Sequence, residues 1–204
     1  MLYGTFRLIF WGTIFVILFF LLMKKSKITK KKLAAISILI LCVSLGSISA
    51  LFPVENLFIN FKSPTNVLNY SQNGKADDVL HGNDSSMVIY SKGSNLGGYF
   101  IVPKSNKGYK IPSLFSVKKV SRKFDQDGSF DVYNVLGTND YYVVGKIIST
   151  ESEINAVDSN NVSVKNIVTE IGNTDTKVVL LYSFVENFTS EYYLIINGEK
   201  IAIS

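Results

Sequence analysis

The chain has 204 residues, 47% of them hydrophobic and 18% charged, with 21 Lys+Arg against 16 Asp+Glu for a formal net charge of +5. One cysteine excludes a disulfide scaffold, and one histidine excludes a multi-histidine metal site. The charge is uneven: residues 1–53 hold Arg7 and six lysines with no acidic residue, whereas residues 54–204 hold 14 basic and 16 acidic residues. That asymmetry predicts a membrane contact confined to the first part and leaves the second without the basic face that nucleic acid requires.

In chain order, the first signal is an uncharged run from Leu8 to Met23, extended back toward Leu2 if Arg7 reaches out to lipid headgroups. A second uncharged run covers Leu33 to Phe52. Between them lies the segment 24–32, with Lys24, Lys25, Lys27, Lys30, Lys31 and Lys32. The pattern predicts a hairpin of two transmembrane helices over 1–53, spans about 3–23 and 33–52, whose lysine loop meets the cytoplasmic membrane surface. Both termini and residues 54–204 then lie outside the cytoplasm, in a two-span cell-membrane protein. A competing reading starts translation at Met23 and makes the second run a signal peptide cleaved after Ser49 or Ala50, which also exports residues 54–204. Cys42 lies in the second run after Leu41, the wrong neighbour for lipidation, and is read as a plain buried thiol. Gly46 and Ala50 form a small-residue pair that permits close helix approach, either to the first run near Gly12 or to another protein.

Beyond Pro53, Ser63 and Pro64 stand as the cap and first residue of a short helix that Asn73-Gly74 ends. From there short runs rich in Val, Ile, Tyr and Phe alternate with Gly, Asn and Asp. They cover 86–91, 98–103, 109–120, 129–135, 141–149, 162–171, 178–184, 192–196 and 200–203. About nine strands in this rhythm predict a mainly-β antiparallel domain over 54–204, sandwich or barrel-like. Asn106-Lys107-Gly108, Asp127-Gly128 and Asn197-Gly198 supply hairpin turns.

Three tyrosine-led doublets recur: Tyr99-Phe100, Tyr141-Tyr142 and Tyr192-Tyr193, each trailing an earlier apolar-Tyr pair. Each fits the second strand of a hairpin, with one ring inward and one outward. The outward rings are the candidate binding residues, a stacking platform for a sugar or peptide; ordinary cross-strand packing is the plainer explanation.

No catalytic constellation is found. His81 lies among Asp77, Asp78, Asp84, Ser85 and Ser86, a stretch read as a polar connecting loop. Asp125 to Asp131 fails the EF-hand pattern at Phe130 and Leu136 and reads as a hairpin turn. Ser116-Val-Lys-Lys119 lacks the partner motifs of serine acyl-enzymes. Lys118, Lys119, Arg122 and Lys123 read as a solvated strand edge. No metal or cofactor is expected.

Phe61-Lys-Ser-Pro-Thr-Asn-Val-Leu-Asn-Tyr70, Asp84 to Tyr90, Tyr99 to Lys104, Gly108-Tyr-Lys110 and Ile196-Asn-Gly-Glu-Lys-Ile201 together resemble small membrane-anchored extracytoplasmic proteins of Gram-positive bacteria. Tyr109 departs from the tryptophan common there. The resemblance implies location and a β-rich domain but no reaction. The function expected is therefore a non-enzymatic binding or interaction module of the envelope, with the lipid bilayer and another membrane protein or envelope polymer as partners. One alternative is an auxiliary or immunity-type subunit acting through its hairpin. A second is a wall-polymer hydrolase using Asp77, Asp78, Asp84 or His81.

Overall fold

Leu-, Ile- and Phe-rich sequence without proline coils into α1 (Leu2–Lys25) and α2 (Lys31–Leu51) in the computed structural model. The structure describes every residue except 1, 26–30, 94, 126–127, 152–153, 171–174 and 204. Ile38 and Cys42 are buried in the helical pair, the latter as the expected buried thiol. Lys24 is exposed; Lys25, Lys27, Lys30, Lys31 and Lys32 fall, in backbone or side chain, outside the described residues.

The expected transmembrane hairpin is corrected here. Among the described residues no helix is long and apolar enough to cross a membrane. Nor does Arg7 extend the first run by reaching toward headgroups: its Nε and Nη2 donate to the two carboxylate oxygens of Glu55 at 2.8 and 3.3 Å. The two-span cell-membrane localisation, its outside termini and the transmembrane classification fall with the hairpin.

Glu55 is fully buried and belongs to a 3-10 turn, Val54–Leu57, that links α2 to the rest of the chain. Lys110 Nζ donates to the carbonyls of Asn56 and Ile59 at 2.5 and 3.2 Å, closing the end of that turn. Phe52 packs on Phe115 and Phe10 on Phe58, with ring centroids 5.6 and 5.9 Å apart. The helices are thus tied to the β-rich remainder by an ion pair and two aromatic contacts.

That remainder is mostly strand, as expected. Helix α3 (Pro64–Ser71) starts as the sequence dictates, with Ser63 Oγ accepting from the Asn66 amide at 3.2 Å. Twelve strands come after it among the described residues. They are β1 (Lys75–His81), β2 (Ser85–Lys92), β3 (Asn95–Ser105), β4 (Gly108–Tyr109), β5 (Val117–Asp125), β6 (Gly128–Val135), β7 (Asp140–Ser149), β8 (Ala156–Asp158), β9 (Lys165–Glu170), β10 (Lys177–Glu186), β11 (Tyr193–Ile196) and β12 (Glu199–Ala202). They form three antiparallel sheets ordered β1-β2-β3-β4, β5-β6-β7-β10-β9 and β12-β11-β8.

Alternation of side chains builds four layers. Val88, Tyr90 and Val102 of the first sheet close on Val67 and Leu68 of α3. The opposite-facing Met87, Ile89 and Ile101 meet Tyr142, Val144, Leu180 and Tyr182 of the second sheet. The other face of that sheet, through Phe130, Val143, Val179 and Leu181, meets Ala156, Leu194 and Ile196 of the third. Strands covered on both sides read as unbroken apolar runs, which is why β10 shows no period-two signal. The sequence expectation of about nine strands misses β1 and β8 and fuses β4 with β5. Asp77 and Asp78 of β1 are polar because that strand is the edge of the first sheet. The Asn197-Gly198 turn is as expected, with φ of 49° and 89° in a two-residue hairpin between β11 and β12.

Candidate functional site

The three doublets land in three different sheets. Tyr99 and Phe100 lie on β3, Tyr141 and Tyr142 open β7, and Tyr193 opens β11 with Tyr192 just before it. Tyr99 stacks obliquely on Tyr133 at 5.4 Å and its hydroxyl donates to the Tyr133 oxygen at 2.5 Å. Phe100 packs toward α3. Tyr141 stacks on Phe188 at 5.7 Å, while Tyr142 is fully buried beside Phe184. Tyr192 is buried with its hydroxyl on Asp158, and Tyr193 lies under the Lys200 ammonium at 3.8 Å. Two doublets sit in true hairpins, β2–β3 and β6–β7. The third does not, because β10 and β11 belong to separate sheets. The partly exposed rings Tyr99, Tyr141 and Tyr193 therefore share no sheet.

The strand-edge cations occupy β5, an outer strand of the five-stranded sheet. A register shift between Lys119 and Ser121 turns both Lys119 and Arg122 toward Asp131. That carboxylate accepts from Lys119 Nζ at 2.9 Å, from Arg122 Nε and Nη2 at 2.7 and 3.1 Å, and from the Tyr133 hydroxyl at 3.1 Å. Burial alone would raise its pKa, but these donors hold it below the usual carboxylate range. Asp78 behaves alike, burial being outweighed by Lys165 and Tyr182. Burial pushes Tyr99 the other way, well above the ordinary phenol value, with the Tyr133 contact adding to it.

The polar stretch around His81 is the end of β1, a tight turn and the start of β2. Ser86 Oγ lies 2.9 Å from His81 Nδ1, but Ser86 is fully buried and has no face open to a substrate. The turn is fastened by a residue that sequence reasoning missed: buried Asp140 accepts from the amides of Asn83 and Asp84 at 3.2 and 2.8 Å and from Ser85 Oγ at 2.5 Å. A Cβ on Gly82 would stand 2.6 Å from Asp140 Oδ2 and 2.8 Å from the Tyr142 hydroxyl, so only glycine fits. Ser116 is engaged with Ser113, and Lys119 with Asp131, so the S-x-x-K pair never meets. Asp127 lies outside the described residues; among those described, no group of three metal-ligating side chains is placed to hold an ion.

Two features that carry no polar motif emerge only in three dimensions. The first is the exterior of the helical pair: Leu8, Ile9, Val16, Ile17 and Phe20 on α1, and Ile36, Leu39, Ile40 and Val43 on α2, are all exposed. The apolar surface continues onto the foot of the β-body as a collar of Phe52, Leu57, Phe58, Leu114 and Phe115, each more than half exposed. Their hydrophobicity was legible; their exposure was not. The second is a cavity between the second and third sheets, with Asp125, Glu151 and Glu199 at its mouth. No family model matches the chain, and no curated protein and no solved structure matches it.

Proposed function

We propose that the chain is a non-enzymatic interaction protein in which α1, α2 and the collar rest against a lipid surface while the β-body is held out to a binding partner. The observation that carries this reading is the apolar exterior of the helices, where Leu8 is 75% and Phe20 67% exposed. Uninterrupted apolar surface of this extent marks a contact. The helix hydroxyls support a dry neighbour: Thr13 Oγ1 donates to the Ile9 carbonyl at 2.8 Å and Ser47 Oγ to the Val43 carbonyl at 2.9 Å, so neither needs water. The collar supplies aromatic rings where apolar helix gives way to polar β-body, the place such rings take at a lipid boundary. Among the described residues no helix is long and apolar enough to cross a membrane, and the contact proposed is with a surface. The part-buried Arg7–Glu55 pair passes that attachment to the β-body. The non-enzymatic reading rests on the enclosure of Ser86 and the occupation of Asp131 and Asp140 by donors within the chain.

Flotation of the full chain with protein-free phosphatidylcholine/phosphatidylglycerol vesicles tests this. The chain is expected to rise with the vesicles, and a variant carrying Phe52→Ser, Phe58→Ser and Phe115→Ser to rise less. A full chain that stays at the bottom of the gradient overturns the lipid contact.

One observation favours a second reading, the auxiliary subunit. Between α1 and α2 runs an apolar groove of about 400 Å³ lined by Trp11, Gly12, Phe15, Leu39, Val43 and Gly46. Among the described residues, and apart from its own helix, neither glycine has an atom within 4 Å of where a Cβ would stand, which leaves room for a partner's helix to approach closely. On this reading the chain floats only when that partner is in the vesicle.

A further inference from the structure

Where the 3-10 turn hands the chain over to the β-body, Asn56, Leu57 and Asn60 line a pocket of about 560 Å³ together with Asn106, Lys107 and Lys110. Its walls are tied together. The Asn56 side chain grips Ile111, its Nδ2 donating to the Ile111 carbonyl at 2.8 Å and its Oδ1 accepting from the Ile111 amide at 2.9 Å. Phe61 and Tyr109 exchange amide-to-carbonyl bonds at 3.1 and 2.8 Å, which sets Asn60 beside Lys110. Gly108 has a φ of 126°, and a Cβ there would stand 2.5 Å from the Phe61 carbonyl oxygen, so the Asn106-Lys107 turn presses close to that segment. The shape of the pocket is therefore set by the fold itself.

Its charge has one sign. Among the described residues no carboxylate lines it, and neither Lys107 nor Lys110 is paired with one. Lys110 gives two of its three ammonium protons to the carbonyls of Asn56 and Ile59, which are neutral and hold the head in place without cancelling its charge. The Asn56 amide is engaged with Ile111, so the donors that remain are the third Lys110 proton, the exposed Lys107 ammonium and the exposed side chains of Asn60 and Asn106. A half-enclosed cation without a counter-charge is complemented by an anion. Leu57, 78% exposed, is both a wall of this pocket and a member of the apolar collar, and Phe58 beside it is 62% exposed. A phosphodiester can thus meet the donors while its acyl chains lie along the collar, whereas a free anion finds the donors without the apolar neighbour. We infer that this pocket seats the headgroup phosphate of an anionic phospholipid. The inference deepens the lipid-surface reading and rests on it.

The probe is monomeric dihexanoyl phosphatidylglycerol, added to the full chain with its amides isotopically labelled. Saturable shifts are expected at Asn60, Asn106, Lys107 and Lys110, with inorganic phosphate and dihexanoyl phosphatidylcholine binding at least tenfold more weakly. Lys107→Glu, at an exposed turn position, is expected to weaken phosphatidylglycerol at least tenfold while resonances away from the pocket stay in place. An equal response to inorganic phosphate would make this a site for a soluble anion, and an equal response to phosphatidylcholine would make it a plain apolar contact. Either result, shifts confined to other residues, no shift, or an unaffected variant overturns the assignment. Flotation with phosphatidylcholine-only vesicles reports on the apolar contact without an anionic headgroup. A chain that floats there but shows no shifts loses the headgroup site alone, whereas one that does not float loses the lipid contact and this assignment with it.

Discussion

Strand β10 and helix α1 are both written as nearly unbroken apolar runs, yet they meet opposite fates. In β10, Val179 and Leu181 face the third sheet while Leu180 and Tyr182 face the first, and all four are buried. In α1, Leu8, Ile17 and Phe20 stand more than half exposed. An apolar run therefore reports that a segment must be covered, and the layers around it decide whether the chain does the covering itself. The β-body covers itself. The helical pair leaves much of its apolar surface exposed.

Breaking β10 is expected to have the largest effect. Leu181→Ala opens a cavity between two sheets and should cost about 2–5 kcal/mol, measured by urea denaturation monitored by far-UV circular dichroism. A loss below about 1 kcal/mol would mean that the third sheet is not packed there. The junction ranks next. Arg7→Met leaves Glu55 buried without its partner and should cost about 3 kcal/mol, at the low end of the ~3–5 kcal/mol for such pairs because Arg7 keeps some solvent contact. Adding Glu55→Gln should recover part of that loss, and a double variant no better than the single one would contradict the pairing.

Alkali tests the two-sided burial of tyrosines. Burial is the leading cause that raises Tyr142, Tyr182 and Tyr192 above the ordinary phenol value. Below about pH 10 they are protonated in both folded and unfolded chains. Above it the unfolded chain releases protons that the folded one retains, so stability falls as pH rises. Phenolate absorbance should therefore appear together with loss of structure; phenolate formation in a folded chain would break the account. In acid the sign reverses. The depressed carboxyls of Asp78 and Asp131 stabilise the fold above about pH 4, and that contribution is lost as pH falls through their lower folded values. Both are partly solvated, so Asp131→Asn should cost under about 1 kcal/mol at neutral pH. The smallest change in stability, within about 0.5 kcal/mol, is expected for Phe20→Ser with Ile40→Ser, which should nonetheless weaken vesicle binding.

Much of the β-body was legible because its signals are local. The Ser63 cap, the Asn197-Gly198 turn and most strand runs depend on neighbours in sequence. What escaped depends on distance. Arg7 reads as a flank of an apolar helix until Glu55 is brought beside it by the turn at Val54–Leu57. Asp140 has no motif, and its role arises only when β7 passes beneath the turn at Gly82–Asp84. β1 was mistaken for a loop because its edge position permits Asp77 and Asp78, which pair with Ser91 and with Lys165 and Tyr182. Two of the doublets lie on the second strands of the β2–β3 and β6–β7 hairpins, near the start of β7 but in the middle of β3, and the grouping of all three into one platform required a sheet order that the spacing does not encode.

The chain's single tryptophan, Trp11, lies in the groove between α1 and α2 and gives the most direct test of the contact assigned to the helical pair. Its fluorescence should be quenched when the full chain is mixed with vesicles whose acyl chains carry bromine, and quenched less in the Phe52→Ser, Phe58→Ser, Phe115→Ser variant. Emission that is the same with brominated and unbrominated vesicles would contradict the account.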